Sequence, residues 1–251
     1  TASTPLVLAA VGELVVEKSG VLNLGVEGMM IIGAVTSFIV TYETGSHFLG
    51  LIAALISAGL VASLFGLLTQ YLLSNQVATG LALTLFGLGL ASLIGQTYSG
   101  ISLDAFPVFD VYLLSEIPII GSLLFNFDYL IYLSIIIVVS VYYFLNKTKL
   151  GLVLIAIGDS HDSAHSLGYS VKMVRLFAII FGGSCAGLGG AYLSLVQTPM
   201  WVENMTAGRG WIALAIVVFA VWRPLWILVG AYIFGGITII QLHIQAIGVN
   251  I

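Results

Sequence analysis

The sequence predicts an all-α polytopic membrane protein. Three observations carry that reading. The chain is 60% hydrophobic and 7% charged, with a mean hydropathy of +1.15, where a soluble domain carries roughly 25% charged residues. Apolar runs near span length alternate with polar stops, giving about eight membrane segments, three of them interrupted. The charges are placed rather than scattered. Lys147 and Lys149 precede one polar loop and Lys172 and Arg175 follow it, four of only seven basic residues, so the positive-inside rule sets that loop in the cytoplasm. A formal charge of −4 carried by such local features makes no field that attracts nucleic acid. The single Cys185 excludes an internal disulfide and a cysteine metal cluster, and within GGSCAGLGG it reads as a small residue in a close helix contact.

Residues 1–16 are apolar but shorter than the roughly 20 residues a span requires. They read as the second half of a helix stopped by Glu17-Lys18-Ser19-Gly20. Further residues are expected at both ends, since the chain opens on Thr1 and stops at Ile251 without a polar tail. Residues 21–28, VLNLGVEG, are too apolar for an ordinary loop and too rich in Gly, Asn and Glu for a lipid-facing helix. Irregular backbone at membrane depth requires protein or a water-filled cavity around it. This is the first break and the first pathway candidate. A helix over 29–42 turns at 43–47 into a full span over 48–69, and the second break, QYLLSNQVATG, follows at 70–80. The helix over 81–95 carries Gly87, Ala91 and Gly95 at the four-residue interval that lets backbones approach. Residues 96–128 hold Asp104, Asp110, Glu116 and Asp128 but no Lys or Arg, which suits the outer face. A span over 129–145 leads to the basic loop, and 173–196 returns through Gly182, Gly183, Gly187, Gly189 and Gly190, the mark of a helix buried in a bundle. The third break, QTPMWVENMTAGRGW, covers 197–211. The segment after it, 212–222, reaches only about 17 Å, so the break supplies half of that crossing. Arg223-Pro224 ends it, and 225–242 is the last segment.

The polar loop has its own chemistry. Asp159 is placed to N-cap a short helix over 160–167, Asp162 to complete a capping box, and Gly168 to close it in the left-handed conformation. Ser160, Ser163, Ala164 and Leu167 form a small, apolar stripe opposite His161, Asp162, His165 and Ser166. Isolated helices below about 12 residues are marginal in water, so this one needs a partner surface.

No phosphate-binding GxxxxGK[ST], HExxH or GxSxG occurs, so the chain does not hydrolyse ATP by itself, is read as needing no cofactor, and shows no nucleophile and base for an intramembrane enzyme. The pair His161 and His165 at i, i+4 reads as a solvated helix face rather than a metal site. A charge at the bilayer centre costs at least about 2.5 kcal/mol on the lenient scale. Glu13, Glu17 and Glu27, with Lys18 and Arg209 as nearest candidate partners, therefore either pair and cap broken helix ends or touch solute. Glu203 and Arg209 divide the same way. Asn23, Asn75, Gln76 and Asn204 are better solute contacts, because neutral amides bind a polar uncharged molecule without burying charge. Thr79 and Thr206 add hydroxyls, while Trp201 and Trp211 either stack on a ring or belong to an interfacial belt. Such a set suits a neutral hydroxylated molecule and is poor for a phosphate, which wants several unpaired cations.

Three stretches carry a resemblance: PLVLAAVGELVVEKSGVLNLGVEGMM at 5–30, GDSHDSAHSLGYSV at 158–171 and NMTAGRGWIALAIVVFAVWRP at 204–224. They resemble the permease subunits of ABC importers for simple sugars and nucleosides, the branch related to ribose and branched-chain amino-acid permeases, over nearly the whole chain. The resemblance implies one transmembrane permease domain over 1–251 in the plasma (inner) membrane of a prokaryote. It implies separate cytoplasmic ATP-binding subunits, a second permease subunit that is a copy or a paralogue, and an extracytoplasmic solute-binding protein. It also implies that the loop 151–171 carries a coupling helix, which in the family reads like G-[ED]-N-P-x-A-A-x-x-x-G-[IV]. Gly158, Asp159, Ala164 and Gly168 match, while Ser160, His161, Ser163 and Tyr169 depart, keeping the helix and changing the surface it offers. The coupling set is thus Gly158, Asp159, Ser160, Asp162, Ser163, Ala164, Leu167 and Gly168. The pathway set is Glu13, Asn23, Glu27, Asn75, Gln76, Thr79, Glu203, Asn204, Arg209 and Trp211. A nucleoside ranks first as cargo and a simple sugar second. The competing reading is a secondary transporter that uses Glu13, Glu17 and Glu27 for ion coupling.

Overall fold

The structure, a computed structural model, describes residues 1–107, 127–160 and 168–247. Among them are nine α-helices and no strand: α1 Thr4–Lys18, α2 Val26–Thr44, α3 His47–Gly66, α4 Gln76–Gly95, α5 Tyr129–Lys147, α6 Lys149–Asp159, α7 Val171–Tyr192, α8 Arg209–Phe219 and α9 Pro224–Ala246. Six of these, α2, α3, α4, α5, α7 and α9, are long and apolar enough to cross a membrane. With the shorter α1 and α8 they make up the segments expected from the sequence. α6 was not among them.

The sequence reading places 151–159 in a polar loop. The structure makes them helix, because Thr148 caps the first turn, accepting from the Gly151 N–H at 3.1 Å, and Gly151, Leu154 and Ile157 give one face to bury. Asp159 is the last residue of α6. The short docking helix expected over 160–167 falls on residues 161–167, outside the described residues. Gly168 does take the left-handed conformation, at φ +84.

α7 is the centre of the bundle and packs on α1, α2 and α3. Lipid tails are as apolar as side chains, so close van der Waals contact is what holds membrane helices together. Missing side chains permit it: a Cβ on Gly12 would lie 2.7 Å from Cys185 Cβ and from the Gly182 carbonyl oxygen, and Gly33 meets Gly187 backbone to backbone. Ser194 adds a buried bond from α7's extension to α2, donating to the Ala34 carbonyl at 2.9 Å. Cys185 is buried in this contact, as its surroundings in the sequence suggest.

Each break is narrower than its polar sequence. The first spans 19–25: Gly20 at φ +81 turns the chain back along α1, and α2 begins at Val26, so Glu27 and Gly28 are helical. The second spans 72–75, because the Asn75 side chain caps α4 by accepting from the Ala78 N–H at 3.0 Å, which makes 76–80 helical. The third spans 198–208, closed by Gly208 at φ +82. α3 and α7 both run into their breaks through a π-helical turn, at Leu67–Tyr71 and Leu193–Gln197, a distortion that recurs at functional sites.

Candidate functional site

The three breaks converge on the N-terminus of α2. From one side the second break arrives: Gln76 Oε1 accepts from the Leu22 N–H at 2.9 Å, and Thr84 on α4 donates to the Leu24 carbonyl at 3.0 Å. A Cβ on Gly87 would fall 2.6 Å from the Gly28 carbonyl oxygen, so the small-residue interval on α4 is a seat for α2. Asn23 folds the first break on itself, its Oδ1 accepting from the Gly25 N–H at 2.9 Å. From the other side comes the third break, held by Glu27. Its Oε1 accepts from Thr206 Oγ1 at 2.6 Å and the Gly208 N–H at 2.8 Å, and its Oε2 from the Gly210 N–H at 2.6 Å. The first turn of a helix carries unpaired N–H groups and the positive end of the dipole, so a carboxylate belongs there. Gly210 is needed because a Cβ would meet the Glu27 backbone at 2.6 Å. Glu27, 3% exposed, is a buried pin fastening α8 to α2.

The other acids are held in the same manner. Glu13, 1% exposed, accepts from the Asn23 N–H at 3.1 Å through Oε1, while its Oε2 has no hydrogen-bond partner among the described residues. Glu17 accepts from the Trp222 indole N–H. The sequence reading looked to Lys18 and Arg209 as partners; the structure supplies neutral donors, and Arg209 donates to the carbonyls of Met205 at 2.8 Å and Thr206 at 3.4 Å. A desolvated carboxylate needs hydrogen bonds whether or not a cation is near, and backbone N–H groups at breaks are plentiful.

The expected pathway residues thus fall into two groups. Glu13, Asn23 and Glu27 are buried in the junction, and so is Trp201, which lies against Gly95 with no exposed surface. Asn75, Glu203, Asn204 and Trp211 are exposed, with Gln76, Thr79 and Arg209 half-buried beside them. Ser92 of α4 donates to Glu203 Oε1 at 2.9 Å, tying the third break to α4 a second time. Packed backbone and buried polar bonds join the three breaks; a cavity of 240 Å³ beside them is lined by Leu193, Gln197, Thr198, Val202, Met205 and Arg209, residues of the third break and its flanks.

At the far end of α1 lies a joint that the sequence reading missed. Gly158 of α6 sits on the Lys18 carbonyl, and Arg175 of α7 donates through Nε to the Ser19 carbonyl at 2.9 Å. A Cβ on Gly20 would lie 3.1 Å from Gly158 Cα. The isolated glycines at 20 and 158 were the only signal. Of the coupling set, Gly158, Asp159, Ser160 and Gly168 are described, and Asp162, Ser163, Ala164 and Leu167 lie outside the described residues.

Comparison with known proteins gives the chain its family. The family described as branched-chain amino acid transport system, permease component, matches residues 1–249. The chain belongs to this permease family. The permease is 43% identical over 251 residues to a putative glucose ABC transporter permease of Haloferax volcanii, covering 98% of this chain and 76% of the relative. It is 29% identical over 244 residues to a nucleoside ABC transporter permease of Lactococcus lactis, and 29% over 247 residues to a guanosine ABC transporter permease of Bacillus subtilis, each time covering 93% of this chain and 77% of the relative. No solved structure matches it. As a member of this family the protein is a multi-pass inner-membrane transport subunit and not an enzyme.

Proposed function

We propose that this permease carries a neutral, hydroxyl-bearing solute inward, a simple sugar ahead of a nucleoside. Separate ATP-binding subunits drive it and an extracytoplasmic binding protein delivers the solute. The observation that carries the reading is the polar set left unburied at the second and third breaks, Asn75, Asn204 and Trp211 exposed and Gln76, Thr79 and Arg209 half-buried. Such groups at membrane depth do not face lipid; they belong toward a route shared with a second permease subunit, copy or paralogue. Arg209 gives Nη1 to two carbonyls and has Glu27 near it, so its charge is already partly offset, and one cation is a poor holder for a phosphate. Two findings favour a simple sugar over the nucleoside that ranks first from the sequence. Trp201 is enclosed, so of the two candidate stacking rings only Trp211, 38% exposed, is left for a flat base. The putative glucose permease, at 43% identity, is also more similar than the two permeases named for nucleosides, at 29% each, although a second glucose permease of Haloferax volcanii is 25% identical.

On the same reading the basic loop is cytoplasmic, and Gly158, Asp159, Ser160, Asp162, Ser163, Ala164, Leu167 and Gly168 meet the ATP-binding subunit. The joint of Gly158 with Lys18 and of Arg175 with Ser19 carries displacement of that loop into the first break. The test is uptake of labelled glucose and guanosine by cells holding the whole transporter. Uptake that survives an uncoupler and collapses on ATP depletion fits this mechanism. The reverse pattern would make the transporter ion-coupled through Glu13, Glu17 or Glu27.

A further inference from the structure

The basic end of the bundle holds a second site, apart from the junction at the N-terminus of α2. Two adjoining cavities, of 380 and 310 Å³, share Arg223 and Trp226. The larger is polar on one side, where Lys18, Asn146 and Trp222 line it together with Arg223. The smaller is apolar, walled by Phe219, Ala220 and Val221. Both are shaped by the turn between α8 and α9, in which Val221 and Trp222 take φ +51, a conformation that side chains of this bulk adopt only when their surroundings impose it. Here the constraint is visible: the Trp222 indole N–H donates to the Glu17 carboxylate, and Pro224 starts α9 directly after. That bond also engages the acid next to Lys18, and among the described residues no carboxylate lines either cavity. Two of the seven basic residues thus face one polar cavity. The neighbouring apolar cavity opens outward past Val221 and Trp226, which are 65% and 52% exposed.

We propose that the paired cavities bind one anionic phospholipid, its phosphate between Lys18 and Arg223 and an acyl chain along Phe219 and Val221. The proposal rests on the orientation given above, which puts this end at the inner leaflet. The shape decides between a lipid and a soluble phosphate ester: a soluble ligand has no use for an apolar second cavity that opens toward hydrocarbon. Basic pockets between helices at the cytoplasmic surface recognise lipid head groups, the arginine fork matches phosphate oxygens, and tryptophan sits at head-group depth. The bound lipid ties the ends of α1 and α5 to the start of α9, next to the joint at Gly158.

Native mass spectrometry of the delipidated whole transporter tests this, with phosphatidylglycerol or phosphatidylcholine added in detergent. That readout depends on neither transport nor orientation, so its failure is distinct from failure of the functional reading. The expected result is retention of phosphatidylglycerol about tenfold over phosphatidylcholine, from two cations near the phosphate, reduced to parity in Arg223→Ala and partly kept in Arg223→Lys. The wild-type comparison needs no variant, so a misfolded substitution leaves the test intact. Equal retention of the two lipids by the wild type overturns the proposal, as does a preference that Arg223→Ala leaves unchanged. Displacement of the lipid by millimolar inorganic phosphate would make this a soluble-phosphate site. Loss of the ATP-binding subunit from Arg223→Ala with lipid retention unchanged would make Arg223 a subunit contact instead.

Discussion

Glu27 and Glu203 both belong to the expected pathway set, yet they do different work. Glu27 is buried and accepts three hydrogen bonds from the third break; Glu203 is exposed and accepts one from Ser92. Glu27→Gln turns an amide NH₂ toward donors and removes the charge from the α8 N-terminus. It is expected to cost about 2–3 kcal/mol, read as a lower thermal midpoint of the purified permease, while Glu203→Gln stays within about 0.5 kcal/mol. Equal effects would mean that Glu27 is no pin. The two tryptophans separate in the same way. Trp201→Ala empties an enclosed site and is expected to cost about 3–5 kcal/mol of stability. Trp211→Ala leaves the midpoint unchanged and raises the KM for sugar uptake about fivefold, the worth of one ring contact. An unchanged KM would remove Trp211 from the route.

On the proposed function, α6 is the element through which the loop reaches the route. It lies between the basic loop and the end of α1, and its last turn touches the Lys18 carbonyl through Gly158 with no side chain between. Gly158→Ala forces the two helices apart. In proteoliposomes with the ATP-binding subunits, this variant is expected to insert normally and to lose stimulation of ATPase activity by solute-loaded binding protein. Gly168→Ala, left-handed but with nothing near its Cβ position, costs about 1 kcal/mol locally and keeps most of the stimulation. If Gly158→Ala couples as well as Gly168→Ala, α6 does not transmit. Ala164→Arg sets a long charge in the small stripe of the loop and is expected to abolish transport with insertion intact; persistence of transport and ATPase stimulation in that variant would refute the coupling assignment.

As a whole the molecule is a core of α1, α2 and α7 with the remaining helices around it, and its polar interior lies where the breaks meet rather than along any one helix. That arrangement suits an uncharged cargo, since among the described residues Arg209 is the one cation at the junction and it lies near the Glu27 carboxylate. Competition in uptake follows: a nucleoside is expected to inhibit sugar uptake more strongly than its own monophosphate by tenfold or more, because the phosphate would bring about two negative charges into a route where Arg209 already has the Glu27 carboxylate near it. Equal inhibition by the two would overturn the neutral-solute reading.

Hydropathy, the glycine clusters and the polar stops by themselves determined the all-helical membrane fold, the segments and the neighbourhood of each break, since membrane depth punishes unpaired polar backbone wherever the chain goes. Gly87, Ala91 and Gly95 were legible as a contact face for that reason. The ends of the breaks were not legible, because Asn75 is a polar loop residue or a helix cap depending on whether the Ala78 N–H is there to meet it. α6 was hidden because its apolar face is short and lies beside charged neighbours. The division of the candidate site into a buried pin and an exposed face was decided by the tertiary structure alone. Glu27 and Thr206 are 179 residues apart in sequence, and burial and hydrogen bonding belong to the space between segments.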